Sequence, residues 1–213
     1  MRIIQISGKG RVGKSTLADL IGKYAFEMGY HVAMVPFAKA IKDQAKNIGI
    51  TKESDSSAYR EFCQKLGADK RAEDEDYWVA RTYETIQEYM VKEIDNKKTG
   101  KACWQYVIIQ DDVRYMNELA FGRDLAALQI FVSSGGRELE EETAEWRTHE
   151  SEILGNAVEA DQKLEYAELF DLVINNNGSV QDMEDIVKTD LESWLSTGFL
   201  ELEEYDDSNN SDH

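Results

Sequence analysis

The stretch that decides the fold is Gly8-Lys9-Gly10-Arg11-Val12-Gly13-Lys14-Ser15, which matches the pattern G-x-x-x-x-G-K-[ST]. The apolar run over 2–7 predicts a buried strand before it, and residues 16–24 predict a helix after it. A phosphate-binding loop requires this strand–loop–helix arrangement, because glycines let backbone N–H groups surround phosphates at a helix N-terminus. Lys14 would reach the β- and γ-phosphates, and the Ser15 hydroxyl would bind Mg²⁺. The predicted nucleoside triphosphate site comprises Gly10, Arg11, Val12, Gly13, Lys14, Ser15 and Thr16.

Composition limits the kinds of partner that the chain can have. It has 213 residues and a formal net charge of −18, which suits one domain and argues against nucleic acid as a partner. Two cysteines are too few for a disulfide framework or a zinc site. No apolar run reaches the length of a membrane span. We therefore expect a soluble, cytoplasmic protein with a small-molecule substrate and no membrane contact.

Predicted strands and helices alternate along the rest of the chain. Further strands are expected over 31–35, 105–110, 127–132 and 169–175, and helices over 38–48, 58–66, 77–94, 116–123 and 180–195. Gly67 is predicted to end one helix, and the turn at 95–100 another. This alternation indicates an α/β P-loop NTPase fold, a parallel sheet with helices on both faces. We expect one domain over 1–198 with a helical insert at about 37–100 and a mobile lid at about 135–152, then an acidic disordered tail over 199–213.

Charged residues follow the predicted third strand. Asp111 and Asp112 are candidates for the Mg²⁺ shell, and the alternative is that they cap the next helix. Arg114 comes directly after them, at the sheet edge where open α/β folds bind ligands. Its guanidinium suits a phosphate, and the alternative is an ion pair with Glu118.

The helical insert carries a second set of candidates for recognising a nucleoside monophosphate. Arg60 and Gln64 are four residues apart and share one helical face, and Arg71 and Trp78 follow. Arginines would bind the phosphate, the amide would read a base edge, and the aromatic ring would stack or form a pocket wall. The alternative is an exposed arginine and a core tryptophan.

The charged segment 135–152 lies between the last two predicted strands, where kinases of this topology have a lid. Arg137 or Arg147 there would close over the transferred phosphoryl group, neutralise its charge and exclude water. Neighbouring glutamates offer the alternative of simple ion pairs.

Together these blocks resemble the phage deoxynucleoside monophosphate kinases, within the adenylate-kinase-like group of P-loop kinases. The matching stretches are 8–16, 37–42, 64–67 with Arg71 and Trp78, 112–118, 149–152 and 170–178, so the similarity extends to about residue 195. Two features depart from the family pattern. Asp111 is an extra acid that leaves the Mg²⁺ ligand open between Asp111 and Asp112, and the tail past Phe199 has no counterpart.

The resemblance implies ATP-dependent phosphorylation of a deoxynucleoside monophosphate with Mg²⁺, in a protein that is often a dimer. If the chain is phage-encoded, it would act in the host cytoplasm. Residues 175–178, with Asn175 and Gly178 as the candidates, would lie near the adenine of ATP. The residues expected on the acceptor side are Phe37, Lys39, Arg60, Gln64, Arg71, Trp78, Asp112 and Arg114.

Two alternatives remain at the sequence level. The loop also resembles that of ParA/MinD-like switch ATPases, in which a lysine placed like Lys9 reaches across a dimer. That group should have an aspartate at the end of the second strand, where this chain has Val35-Pro36-Phe37. The other alternative keeps the kinase and changes the acceptor, to dephospho-coenzyme A or another small phosphorylated metabolite.

Overall fold

Five strands form one all-parallel sheet in the described part of this computed structural model, which covers residues 1–51, 53–101, 105–134, 153–160 and 167–196. They are β1 (Arg2–Ser7), β2 (His31–Met34), β3 (Tyr106–Val113), β4 (Leu128–Ser133) and β5 (Leu172–Asn175). Their order across the sheet is β2-β3-β1-β4-β5. The predicted α/β class with a parallel sheet is therefore confirmed.

Helices connect the strands and cover both faces of the sheet. They are α1 (Lys14–Glu27), α2 (Lys39–Asn47), α3 (Ser56–Glu73), α4 (Tyr77–Lys98), α5 (Met116–Asp124), α6 (Ile153–Ala160), α7 (Val180–Ile186) and α8 (Glu192–Ser196). A π-helical turn, Val187–Leu191, joins α7 to α8, and a 3₁₀ turn, Ala167–Leu169, precedes β5. None of the helices in these ranges is both long and apolar enough to cross a membrane.

Strand β1 is the centre of the sheet and is buried along almost its whole length. Ile4 and Ile6 pack with α1 and the C-terminal helices on one face, whereas Ile3 packs with Ile86 of α4 on the other. Parallel strands covered on both faces are apolar at nearly every position, which explains why β1 lacks an alternating pattern.

Two predicted helix ends are wrong. Helix α3 runs through Gly67 to Glu73, and at this position it packs near Ile41 of α2 and accepts a hydrogen bond from Trp78 of α4 at the Gly67 carbonyl. Helix α4 continues to Lys98 through the predicted turn, and Gly100, with a φ of 68°, follows its end. Contacts across the fold keep α3 helical past Gly67. The end of α4 is instead followed by Gly100, a glycine with positive φ.

A row of three buried glutamines crosses the middle of the sheet beneath α5. Gln5 lies opposite Gln110 on β3 and opposite Gln129 on β4. The Gln5 Nε2 donates to Gln110 Oε1 (2.8 Å) and to the Glu118 carbonyl (3.0 Å), and Gln129 Nε2 donates to the Leu119 carbonyl (3.3 Å). The row therefore connects three strands to the first turns of α5.

The C-terminal helices are bonded to the beginning of the chain. The buried Tyr30 hydroxyl donates to the Leu195 carbonyl at 2.7 Å, and the Arg2 guanidinium lies 4.7 Å from the centre of the Trp194 ring. Leu191 and Leu195 pack into the same core as Ile4 and Ile6.

Removing the Tyr30 hydroxyl tests this connection. Tyr30→Phe leaves a buried carbonyl without its donor and should lower the free energy of unfolding by about 1–2 kcal/mol. Urea denaturation measures the loss. Tyr83→Phe makes the same change on an exposed ring of α4 and should stay within about 0.5 kcal/mol of the unaltered protein. Equal effects of the two variants would contradict the role given to the Tyr30–Leu195 bond.

Candidate active site

The loop between β1 and α1 turns sharply at three positions. Gly8, Arg11 and Gly13 have φ angles of 142°, 61° and 103°. A side chain at Gly8 would put its Cβ 2.4 Å from the Val132 carbonyl oxygen of β4. Only glycine avoids both the unfavourable φ and that contact, so the loop leaves β1 close against the neighbouring strand.

Lys14 lies inside this loop and is only 8% exposed. Its Nζ donates to the carbonyls of Gly8 (2.8 Å) and Lys9 (2.6 Å). The ammonium group is therefore enclosed by the loop at the N-terminus of α1, where the helix dipole also favours an anion. Of the other predicted loop residues, Val12 is buried, whereas Arg11, Ser15 and Thr16 are exposed and Gly10 is half-buried.

Asn176, which the sequence reasoning did not single out, contacts this loop from the end of β5. Its Nδ2 donates to the Val12 carbonyl at 2.7 Å, and its N–H donates to the Ser133 carbonyl at 2.9 Å. The predicted Asn175 is the exposed last residue of β5, and Gly178 lies beside the Asp182 carboxylate in the turn before α7. The repeated Asn175-Asn176-Asn177 was the available signal, but a sequence does not say which asparagine faces the loop.

The two carboxylates at the end of β3 serve different neighbours. The Ser15 hydroxyl donates to Asp111 Oδ2 at 3.1 Å. The Asp112 carboxylate instead accepts the backbone N–H groups of Phe37 (2.8 Å) and Ala38 (2.9 Å), just before α2. Burial raises the pKa of the Asp112 carboxyl, although these two donors oppose the shift. The pairing of β1 with β3 shifts register at this point, since Gln5 lies opposite Gln110 but Ser7 lies opposite Val113, so the two carboxylates stand in an irregular stretch of the strand and reach different neighbours.

A second charged cluster lies where β3 continues into α5. The Arg71 Nη2 donates to Glu118 Oε1 at 3.3 Å, and its guanidinium lies 3.8 Å from the centre of the Tyr115 ring. Glu118 Oε2 accepts the backbone N–H groups of Arg114 (2.8 Å) and Tyr115 (3.2 Å). The half-buried Arg114 thus belongs to the same cluster through its backbone N–H.

A cleft of about 510 Å³ opens beside this cluster, between α3 and the start of α5. Arg71 and Tyr115 line it together with apolar side chains and two further polar residues, which are Ala68, Ala72, Met116, Asn117 and Glu75. Arg71 supplies a cation and Tyr115 an aromatic ring for a planar ligand that carries a phosphate, whereas the Glu75 carboxylate of the same lining disfavours negative charge close to it.

Several predicted acceptor residues do not face this cleft. Trp78 is only 1% exposed and donates to the Gly67 carbonyl at 3.1 Å, so the expected stacking wall is a core residue. Phe37 is likewise buried, at 2% exposed, and packs with Phe131 and Val113. Tertiary packing decided both outcomes, since Trp78 is enclosed between α3 and α4 and Phe37 between the ends of β3 and β4.

The remaining predicted residues are polar and more accessible. Lys39 is exposed and pairs with Asp43 at 2.5 Å. Arg60 is exposed on α3, and Gln64 is half-buried one turn further. Arg137 and Arg147 lie outside the described residues.

Potential metal ligands do not gather into clusters in the ranges the structure describes. No group of three or more histidine, cysteine, aspartate or glutamate side chains there could hold a metal ion. Ser15 and Asp111 nevertheless supply two oxygens at one point beside the loop. Mg²⁺ bound with phosphates commonly uses only one or two protein ligands, so this pair fits a metal that arrives with a nucleotide.

Comparison with protein families and with curated proteins finds no match to this chain. The site is therefore interpreted from its own geometry and chemistry.

Gly8→Ala tests how the loop leaves β1. The substitution combines an unfavourable φ with a Cβ contact to a backbone carbonyl, and it should lower the free energy of unfolding by at least about 3 kcal/mol. Gly29→Ala is the matched control, since its φ is 90° and nothing lies within 4 Å of the added Cβ. It should cost only about 1–2 kcal/mol. Similar losses in urea denaturation would show that the approach to Val132 is unimportant.

Proposed function

We propose that this chain is a P-loop kinase that transfers the γ-phosphoryl group of ATP to a deoxynucleoside monophosphate. One observation carries the proposal. The Ser15 hydroxyl, at the end of the loop that encloses Lys14, lies 3.1 Å from Asp111 Oδ2 at the end of β3. A lysine, a hydroxyl and a carboxylate at one helix N-terminus suit a triphosphate with its metal.

The triphosphate side consists of the loop and α1. Phosphate oxygens would replace the Gly8 and Lys9 carbonyls as partners of the Lys14 ammonium group, which is already ordered in the required region. Mg²⁺, held by Ser15 and Asp111, would neutralise phosphate charge. The Asn176 bond to the Val12 carbonyl supports the loop from the β5 side, next to the expected position of the adenine.

The acceptor side consists of the cleft and the cluster at the start of α5. Arg71 and Arg114 would bind the acceptor phosphate, because guanidinium groups match phosphate oxygens in pairs. The nucleoside would occupy the cleft of about 510 Å³, with Tyr115 against it. Arg60 and Gln64 precede Arg71 on α3, and we propose them as further polar contacts from the same helix.

In this proposal catalysis is positioning together with charge neutralisation. Lys14 would stabilise charge on the transferred phosphoryl group, and the acceptor arginines would hold the attacking oxygen in line with it. Arg137 and Arg147 are proposed to add positive charge and to exclude water from the reaction. No covalent intermediate with the protein is required.

The first test measures ADP formation from ATP and Mg²⁺ with dTMP, dGMP, dCMP, dAMP and their ribonucleotides added singly. One or a few deoxynucleotides should stimulate ADP formation strongly. Lys14→Ala should reduce that rate at least about 100-fold by removing charge stabilisation. Lys23→Ala, an exposed lysine of α1 that lies 3.6 Å from Glu184, is the matched control and should leave the rate unchanged.

Other outcomes redirect the interpretation. Slow ATP hydrolysis that ignores every monophosphate, and rises with protein concentration, would favour the switch ATPase. Stimulation by dephospho-coenzyme A alone would keep the kinase and change its acceptor.

A comparison of two adjacent carboxylates tests the metal ligand. Asp111→Asn should raise the Mg²⁺ concentration for half-maximal rate about 10-fold, because the side chain facing Ser15 loses its charge. Asp112→Asn should leave that concentration unchanged, since its carboxylate faces the Phe37 and Ala38 amides. The measurement is a Mg²⁺ titration of initial rate at fixed ATP. The reverse result would assign the metal to Asp112.

A further inference from the structure

Glu118 is a buried carboxylate that touches both parts of the proposed acceptor site. The residue is 2% exposed and lies in the first turn of α5. One oxygen accepts the backbone N–H groups of Arg114 (2.8 Å) and Tyr115 (3.2 Å), and the other accepts the Arg71 guanidinium (3.3 Å). The same side chain therefore holds the turn after β3 and a residue of α3.

The contacts of Arg71 restrict its guanidinium to one place. Tyr115 covers it at 3.8 Å, and the absence of a side chain at Gly67 leaves room for its Nη1. Glu118 Oε1 occupies only one edge of the group. A guanidinium has five N–H donors, so the remaining donors can serve a ligand in the adjoining cleft.

The row of buried glutamines in β1, β3 and β4 fixes the position of the first turn of α5, which carries Glu118. Gln5 Nε2 donates to the Glu118 carbonyl at 3.0 Å, and Gln129 Nε2 donates to the Leu119 carbonyl at 3.3 Å. Both glutamines are buried within strands. The first turn of α5 is thereby held against β1 and β4, which also carry the neighbours of the phosphate-binding loop.

We propose that Glu118 is a positioning residue that presents Arg71 and the Arg114 turn to the phosphate of the acceptor nucleotide. This inference rests on the proposed function. Glu118 does not touch substrate in this arrangement. It acts through Arg71 by an ion pair, and through Arg114 by a backbone hydrogen bond.

The charge of Glu118 is expected to change near neutral pH. Burial, together with the nearby Asp112 carboxylate, raises the pKa of Glu118 to about 7. The Arg71 guanidinium and the two backbone donors oppose that shift. Above this pKa the carboxylate holds Arg71 by charge, and below it the protonated group resembles a glutamine.

The experiment compares Glu118→Gln with the unaltered full-length protein at pH 8 and pH 6. At pH 8 the variant should show an acceptor KM about 10-fold higher, with kcat and the KM for ATP within about twofold. At pH 6 the ratio of the two acceptor KM values should fall to about 2 or less. The acceptor phosphate titrates identically in both proteins, so it cancels from this ratio.

Glu93→Gln is the matched control. Glu93 of α4 is half-buried and, like Glu118, accepts a backbone N–H, that of Tyr106 at 2.7 Å, but it lies near the start of β3 and far from Arg71 in the fold. This variant should leave the acceptor KM unchanged at both pH values, even if it lowers stability. A similar KM change in Glu93→Gln would mean that loss of stability alone causes the effect.

Three results overturn the inference or separate it from the proposed function. If the unaltered protein is not stimulated by any monophosphate, the proposed function fails before Glu118 is tested. If it is stimulated and folded Glu118→Gln keeps its acceptor KM, the inference fails alone.

Should Glu118→Gln not fold, Arg71→Lys replaces it, since it keeps the charge and loses the planar contact with Tyr115. An unchanged acceptor KM in that variant would equally overturn the inference.

Discussion

The register of β1 between β3 and β4 is the constraint on which the rest of the molecule depends. Gln5 lies level with Gln110 on one side and with Gln129 on the other, so the three strands run side by side without a large offset. Their carboxyl ends consequently meet at one edge of the sheet. The loop with Lys14, the Asp111–Asp112 pair and the turn at Arg114 are neighbours for that reason, although they are distant in sequence.

At that edge, the irregular pairing at the end of β3 directs two adjacent carboxylates to different neighbours. Asp111 faces the Ser15 hydroxyl, whereas Asp112 faces the amides that precede α2. Glu118 lies beyond them and pairs with Arg71. Three carboxylates thus stand close together in a protein of net charge −18, and each has a different donor.

The sequence predicted the local features of this fold better than its packed ones. The loop pattern and the apolar runs indicated β1, α1 and a parallel sheet, because these depend on residues next to each other in the chain. The course of α3 past Gly67, the burial of Trp78 and the choice of Asn176 over Asn175 depend on what lies across the fold. The sequence shows a glutamine inside each of three apolar strands. Only the register of the sheet shows that the three lie side by side in one row.

The central position of β1 also bears on the order in which the molecule can fold during synthesis. This strand is made before both of its partners, since β3 ends at Val113 and β4 ends at Ser133. At a synthesis rate of about 5–20 residues per second, β1 waits roughly 5–25 s for both neighbours. During that time an apolar segment has no sheet to join. A chaperone that binds short apolar strands would therefore find a target in β1 while β3 and β4 are still being made.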